Sequence, residues 1–401
     1  MLHSRTLHNP ARLPRGVLFI LLLVAGALLA GRASAGVLPE DRADLLYHRY
    51  DGGGVTIDGP SLLVRKKFLE KFSLSANYYI DMVSSASIDV ITTASPYEEE
   101  RKQYSVSLDT LRGKTTYSLG FTNSKENDYE ADTAYFSLSH DLFGDLTTIS
   151  LAFARGWDVV QQRDAITGGV DPAFRENTDR RTYSMGLSQV ITRNFIVGAT
   201  FETITDEGFL NNPYRTVRFV DPTSAIGYSF EDEIYPRTRT SNAVAIRGRY
   251  FLPYRAAVSA QYRWFNDTWG ILAHTGELGY THPWGTKWIF DARFRYYTQE
   301  RADFFSDLFP RAQAQNFLAR DKELSTFVSQ TAGVGATYEF PGGLPYMPRF
   351  VKKGTLNLRW DHIFFDYEDF RDIRIGGLAP GTEPAYSFEA DVMQLFVSIW
   401  F

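Results

Sequence analysis

The feature that most constrains this chain is an alternation with a period of two that runs almost from end to end. Phe72, Leu74, Ala76, Tyr78, Ile80 and Met82 are apolar, while Ser73, Ser75, Asn77 and Asp81 between them are polar, with Tyr79 the exception. Side chains that alternate faces in this way make a β-strand with one greasy and one wet side. The stripe recurs at Tyr104/Val106/Leu108, Phe195/Val197/Ala199/Phe201, Ala256/Val258/Ala260/Tyr262/Trp264 and Trp288/Phe290/Ala292/Phe294/Tyr296. Many stripes end in Tyr, Trp or Phe, as the aromatic girdles of membrane barrels do. After Gly36 no stretch approaches 18 uncharged apolar residues, so no transmembrane helix is expected. A barrel leaves its signal in the period and not in the average hydropathy.

A β-sandwich in water would show the same alternation, so the connections decide. Read along the chain they alternate short and long: 69–71 short, 84–101 long, 111–114 short, 123–132 longer, 141–145 short, 160–180 long. The order resumes with 191–194 short, 206–240 very long, 253–254 short, 267–274 moderate, 283–286 short and 299–323 long. Only 341–353 is long where a short one is due, before the long 366–384. Tight turns at one rim and large loops at the other belong to an outer-membrane barrel; a Greek-key sandwich has no reason to sort its loops.

Residues 1–35 carry Arg5, Arg12, Arg15 and Arg32, no acid, an apolar run from Val17 to Ala30 and then Ala33-Ser34-Ala35. This is the build of a cleaved signal peptide, with a mature barrel over 36–401. The 42 basic residues less those four leave 38 against 47 acids, a net charge of −9, which argues against nucleic acid as a partner. There is no cysteine, which excludes thiolate metal sites, disulfides, cysteine nucleophiles and a lipid anchor on an N-terminal Cys. No cofactor or metal is expected.

The chain ends on a stripe of Met393, Leu395, Val397, Ile399 and Phe401. A terminal strand closing on an aromatic resembles the signal read by the barrel-assembly machinery. Fifteen strands can be counted from Ser61 onward, and an even number asks for one more before it. Leu45 to Tyr50 supplies it, with 51–60 as the first long-rim connection, giving sixteen. The alternative is fourteen, with the N-terminal segment plugging the lumen or tucked under the rim. The expected fold is therefore an all-β, antiparallel transmembrane barrel of the outer membrane of a Gram-negative bacterium.

From Tyr47 to Val90 the chain carries YHRYDGGGVTIDGPSLLVRKKF and SANYYIDMVSSASIDVITTASPY. These words resemble an uncharacterised proteobacterial family of exported proteins, a domain-of-unknown-function family. The resemblance implies an outer-membrane-like barrel with no established activity. It also implies neighbouring genes for a small lipoprotein, a thioredoxin-like protein and a flavin transferase, and so a partner role in envelope redox chemistry.

If the Trp288 to Tyr296 stripe faces lipid, then Lys287, Asp291, Arg293 and Arg295 face the lumen. Arg247, Arg249, Arg255, Arg263 and Glu277 join them from neighbouring strands, and Arg359 and Asp361 from further round. One reading is an arginine ladder facing acids across a pore, which sets up a transverse field. The other is that such charges pair simply to solvate a wide lumen. Arg247, Arg249, Arg263, Arg293 and Arg295 outnumber the local acids Glu277 and Asp291. Asp51-Gly52-Gly53-Gly54 with Asp58-Gly59 is a flexible turn or a calcium loop, though calcium needs six to eight oxygens and the spacing is not that of an EF-hand. His274 is the best-placed histidine for a rim hydrolase, but no nucleophile sits in a recognisable context, and no enzyme is expected.

Two functional classes stay open. The first is a porin-like pore for small solutes. The second is a non-transport barrel acting as a structural, assembly or redox-pathway partner, with membrane lipid, the barrel-assembly machinery and a small lipoprotein or other envelope protein as its contacts. The 35 residues of 206–240 exceed a simple hairpin; folded inward they would constrict a pore, and folded outward they would bind something.

Overall fold

The computed structural model describes residues 37–85, 97–164, 169–345 and 347–401. Residues 1–35, where a signal peptide is expected, and most of the 84–101 connection lie outside the described residues. Nine strands lead the chain: β1 (Arg42–Gly52), β2 (Val55–Phe68), β3 (Phe72–Ser85), β4 (Tyr97–Arg112), β5 (Thr115–Lys125), β6 (Tyr129–Leu142), β7 (Thr147–Arg163), β8 (Val170–Thr192) and β9 (Phe195–Gly208). A separate hairpin of β10 (Thr216–Val220) and β11 (Tyr228–Asp232) follows. The wall resumes with β12 (Thr238–Phe251), β13 (Ala257–Asp267), β14 (Leu272–Trp284), β15 (Trp288–Gln299), β16 (Phe327–Pro341), β17 (Lys353–Arg371) and β18 (Ala385–Trp400).

Every wall strand pairs antiparallel with its neighbours, β9 pairs with β12, and β1 pairs with both β2 and β18. The result is a closed antiparallel barrel of sixteen strands, of the outer-membrane class, among the described residues. Closure removes the exposed edges that an open sheet of this size would present. Leu45 to Tyr50 lies within β1, as parity requires, so the fourteen-strand alternative falls. In register, Leu45 stands opposite both Leu62 and Val397, which places all three on the outer face. That face is apolar and open: Leu278 is 60% exposed, and Tyr262, Phe294, Leu358 and Leu395 are exposed on the same face. Met393, Leu395, Val397 and Ile399 belong to this face. The Phe401 ring sits at the short-turn rim, with the Lys66 ammonium 5.0 Å from its centroid.

The 51–60 connection is not a loop. Residues 51–52 end β1, 55–60 begin β2, and only Gly53 and Gly54 turn, at φ of 59° and 79°. Two successive left-handed residues are what a tight type I′ hairpin demands, and glycine meets that demand without strain. The Asp51 carboxylate accepts from Arg49 at 2.9 Å and that of Asp58 from the Tyr47 hydroxyl at 2.6 Å, so the two form no calcium cage. The 123–132 and 267–274 connections are likewise shorter, shrinking to 126–128 and 268–271. The backbone ladder needs no apolar stripe, so hairpins continue past the belt where alternation fades. Lys287 and Arg255 also differ from expectation: both lie in short turns, and Arg255 donates to the Gly285 carbonyl.

Candidate functional site

Arg247 and Arg249 on β12, Arg263 on β13, Glu277 on β14, Asp291, Arg293 and Arg295 on β15, and Arg359 and Asp361 on β17 share the inward parity. The register runs Arg247 to Gln261 to Glu277 to Arg295. Two of these arginines are neutralised by partners two strands away. Arg293 Nε donates to Asp361 Oδ1 at 2.7 Å, and Arg359 Nη2 to Asp291 Oδ2 at 3.2 Å. Both bridges cross β16 at inward glycines: a Cβ on Gly333 would stand 1.9 Å from Asp361 Oδ1, and one on Gly335 2.4 Å from Asp291 Oδ1. Arg247, Arg249, Arg263 and Arg295 make no ion pair among the described residues, although Glu277 stands opposite Arg295. Arg263 and Arg295 instead lie over the rings of Phe265 and Tyr297, at 5.3 and 5.9 Å. Of the five guanidiniums expected to outnumber Glu277 and Asp291, four make no ion pair among the described residues, because Asp361 takes Arg293 across a strand that sequence spacing does not reveal and Asp291 is taken by Arg359.

The facing wall is different in kind. Many inward positions of β3 to β8 are small, including Ser75, Ser107, Ser118, Ala152, Ser184 and Gly186, with Tyr79, Arg101, Gln103, Tyr135 and Arg180 among the larger exceptions, and Ser75 Oγ meets Ser107 Oγ at 2.5 Å. Such side chains cannot fill a sixteen-strand lumen, which at this width holds water unless something else occupies it.

Where these walls meet, the Tyr47 to Val90 words build an inward cluster that spacing did not disclose. His48 Nε2 lies 2.8 Å from Asp81 Oδ1 and 3.1 Å from the Tyr79 hydroxyl, and the two rings stack at 5.2 Å. Arg101 Nη2 reaches Asp81 Oδ2 at 2.7 Å. A Cβ on Gly59 would stand 1.9 Å from the Ile80 carbonyl oxygen, so only glycine lets β2 approach β3 here. Tyr79 breaks the apolar alternation because it belongs to this cluster. His274 faces outward, its Nδ1 2.7 Å from the Tyr262 hydroxyl, in girdle surroundings.

The long connections 209–237, 300–326 and 372–384 fold together into a lid across the mouth. Bridges join Phe219 to Phe309, Ile234 to Leu318 and Phe305 to Ala319. Trp269, Phe304, Tyr235, Phe370 and Leu324 form a buried core, packed on inward aromatics Phe327, Phe365 and Phe388 of the barrel wall. Arg218 is fully buried, and its guanidinium ties the three loops together: Nη1 donates to Glu383 Oε1 at 2.6 Å, Nε to the Asp307 carbonyl at 2.9 Å, and Nη2 to the Asp307 carboxylate. Arg320 Nη2 reaches Asp307 Oδ1 at 3.0 Å. Across the mouth the Tyr214 hydroxyl donates to Asp128 and accepts from the Arg163 amide at 2.8 Å. Of the 206–240 segment, 206–208 and 238–240 belong to wall strands β9 and β12, and 209–237 spans the opening.

Burial sets the electrostatics of the lid. Glu233 is pushed up to about 7 by desolvation and by nearby Asp321, against the opposing hydrogen bonds from the Tyr235 hydroxyl and the Arg320 amide. Glu383 is held below its ordinary value: its bonds with Arg218 and to the Gly381 amide outweigh its desolvation. A closed lid thus binds the Glu233 proton more tightly than an opened lid, whose hydrated carboxyl returns toward 4.5. This contribution is fully present below about 4.5 and is lost as pH rises through about 7. Open-state occupancy in bilayer recordings should rise over that window and level above it, and Glu233→Gln should flatten the profile. A lid that tightens with rising pH would contradict this assignment.

Several solved structures have a similar fold at low identity. A bacterial polysaccharide outer membrane secretin is 8% identical with a TM-score of 0.48, over 91% of this chain and 100% of that one. A Pseudomonas aeruginosa FadL homologue and the P. putida toluene transporter TodX are each 9% identical with a TM-score of 0.41, over 91% of this chain and 91% of theirs. Likeness at this distance carries no argument about activity. No curated protein matches. The family model described as "Protein of unknown function (DUF3570)" matches residues 88–351, from just past β3 to the end of the β16–β17 connection. With about two thirds of its length matched, the chain belongs to that family.

Proposed function

We propose that this protein is a lidded pore of the Gram-negative outer membrane, passing small solutes through a lumen with an anion-favouring wall. The observation that carries the reading is the contrast between its two inner faces. The many small hydroxyl and methyl side chains on β3 to β8 leave room for water, and Arg247, Arg249, Arg263 and Arg295 face that room without ion-pair partners among the described residues. Fixed positive charge beside a narrow aqueous path raises the local anion concentration. The long-loop rim, with the lid, faces outward, as the loops of such barrels do. Surrounding lipid and the barrel-assembly machinery are its expected contacts, and catalysis forms no part of the proposal.

Replacing Arg247, Arg263 and Arg295 together with Ser should shift the reversal potential toward cations in a salt gradient. The difference should fade near 1 M salt, where the screening length is about 3 Å. An unchanged reversal potential at low salt would mean that these arginines only solvate the wall. The lid's closure favours a second reading, a barrel acting as a structural or redox-pathway partner of a small lipoprotein or other envelope protein. No conductance from a folded barrel, even with its lid released, would select it.

A further inference from the structure

On the lid a groove of 440 Å³ opens between the 268–271 turn and the 300–326 connection. Its floor is fixed. Trp269 donates its indole N–H to the Thr238 carbonyl at 3.0 Å and meets Phe304 edge-on, with ring centroids 5.2 Å apart. Phe317 stands beside Phe304 at 6.3 Å, yet is 41% exposed. Asp303, Gln315 and Asn316 line the same groove and are exposed. Gln315 spends its amide N–H on the Phe304 carbonyl at 3.1 Å, which leaves its carbonyl oxygen for a ligand. The side chains of Asp303 and Asn316 have no partner among the described residues. Gly270, at φ 92°, leaves the space that the Asp303 carboxylate occupies: a Cβ there would lie 2.4 Å from Oδ1.

From this arrangement we infer a binding site for a neutral pyranose. A sugar ring offers one apolar C–H face and a rim of vicinal hydroxyls. An exposed aromatic wall takes the first. A carboxylate and two primary amides, which between them both accept and donate, take the second. A concave, partly apolar site with a few convergent polar groups is the general form of small-ligand pockets. The carboxylate disfavours acidic sugars. The packing of Trp269 on Phe304 and the bond of the Asp303 amide to the Trp269 carbonyl at 2.8 Å keep the groove pre-formed, so little ordering opposes binding. The inference does not depend on whether the lumen conducts.

Calorimetric titration of the full barrel in a sugar-free detergent tests it, with methyl glucoside, methyl galactoside and methyl N-acetylglucosaminide as probes. At least one should bind with a dissociation constant on the order of 1 mM. Glucuronate should bind about tenfold more weakly, because it meets the Asp303 carboxylate, a loss of about 1.4 kcal/mol. Phe317→Ala and Asp303→Ala, both at exposed positions, should each weaken the neutral sugar by about tenfold or more while leaving conductance and protease resistance of the lid unchanged. Absence of binding by all three neutral probes would overturn the assignment. So would equal binding of glucuronate, or unchanged affinity in Phe317→Ala.

Discussion

Arg218→Ala should open the mouth of the barrel, raising single-channel conductance several-fold. The substitution leaves the carboxylates of Asp307 and Glu383 buried without the guanidinium that they share, and stranding one side of a buried ion pair costs roughly 3–5 kcal/mol. Arg320 still reaches Asp307, so the loss falls mainly on Glu383 and on the tie between 209–237 and 372–384. The wall is untouched, because its sixteen strands are held by their own ladder. Limited proteolysis should then cut within 209–237 in the variant and spare it in the parent. Glu383→Gln keeps the shape and removes one charge, and should give a smaller change in the same direction. Unchanged conductance with a newly cleavable loop would show that the lid does not set the flow.

The second large effect concerns the outer face. Leu278 stands opposite Phe294 midway between the rims and is among the most exposed apolar side chains. Leu278→Arg should cost about 2–4 kcal/mol, the range for a cationic side chain turned toward the bilayer midplane. Glu277, one residue earlier, faces the lumen and makes no ion pair among the described residues, so Glu277→Gln should stay within about 0.5 kcal/mol. Urea titration of protein refolded into lipid vesicles, followed by heat-modifiable mobility, measures both. Equal destabilisation would mean that the outer face does not meet lipid. Phe290 is a poorer probe, since it stacks with Trp288 near the short-turn rim, where a charge can reach water.

The wall was legible in the sequence because lipid and water impose opposite chemistry on successive residues. The inward parity of nine of the eleven lumen candidates follows from that same rule, and Arg255 and Lys287 miss it because they lie in turns. What alternation could not convey was pairing at a distance. Asp361 meets Arg293 only because Gly333 lies flat between them, and a glycine in a strand reads as a weak point until its neighbours are placed. The His48 cluster was hidden for a related reason, since its members come from three strands and Tyr79 counts as an irregularity. The lid escaped because loops obey no period: Val217 and Leu318 are apolar residues in segments without alternation, and nothing local marks them as one core.

The Arg218–Glu383 bond closes a span of 165 residues, and its acid precedes the last strand of the wall. Contacts so far apart in the chain form late, since the loop between them must first be ordered. The lock cannot engage until the β17–β18 hairpin has formed and carried 372–384 to the rim. During biogenesis the wall should therefore be nearly whole before its entrance is guarded, with the last hairpin supplying the piece that shuts it.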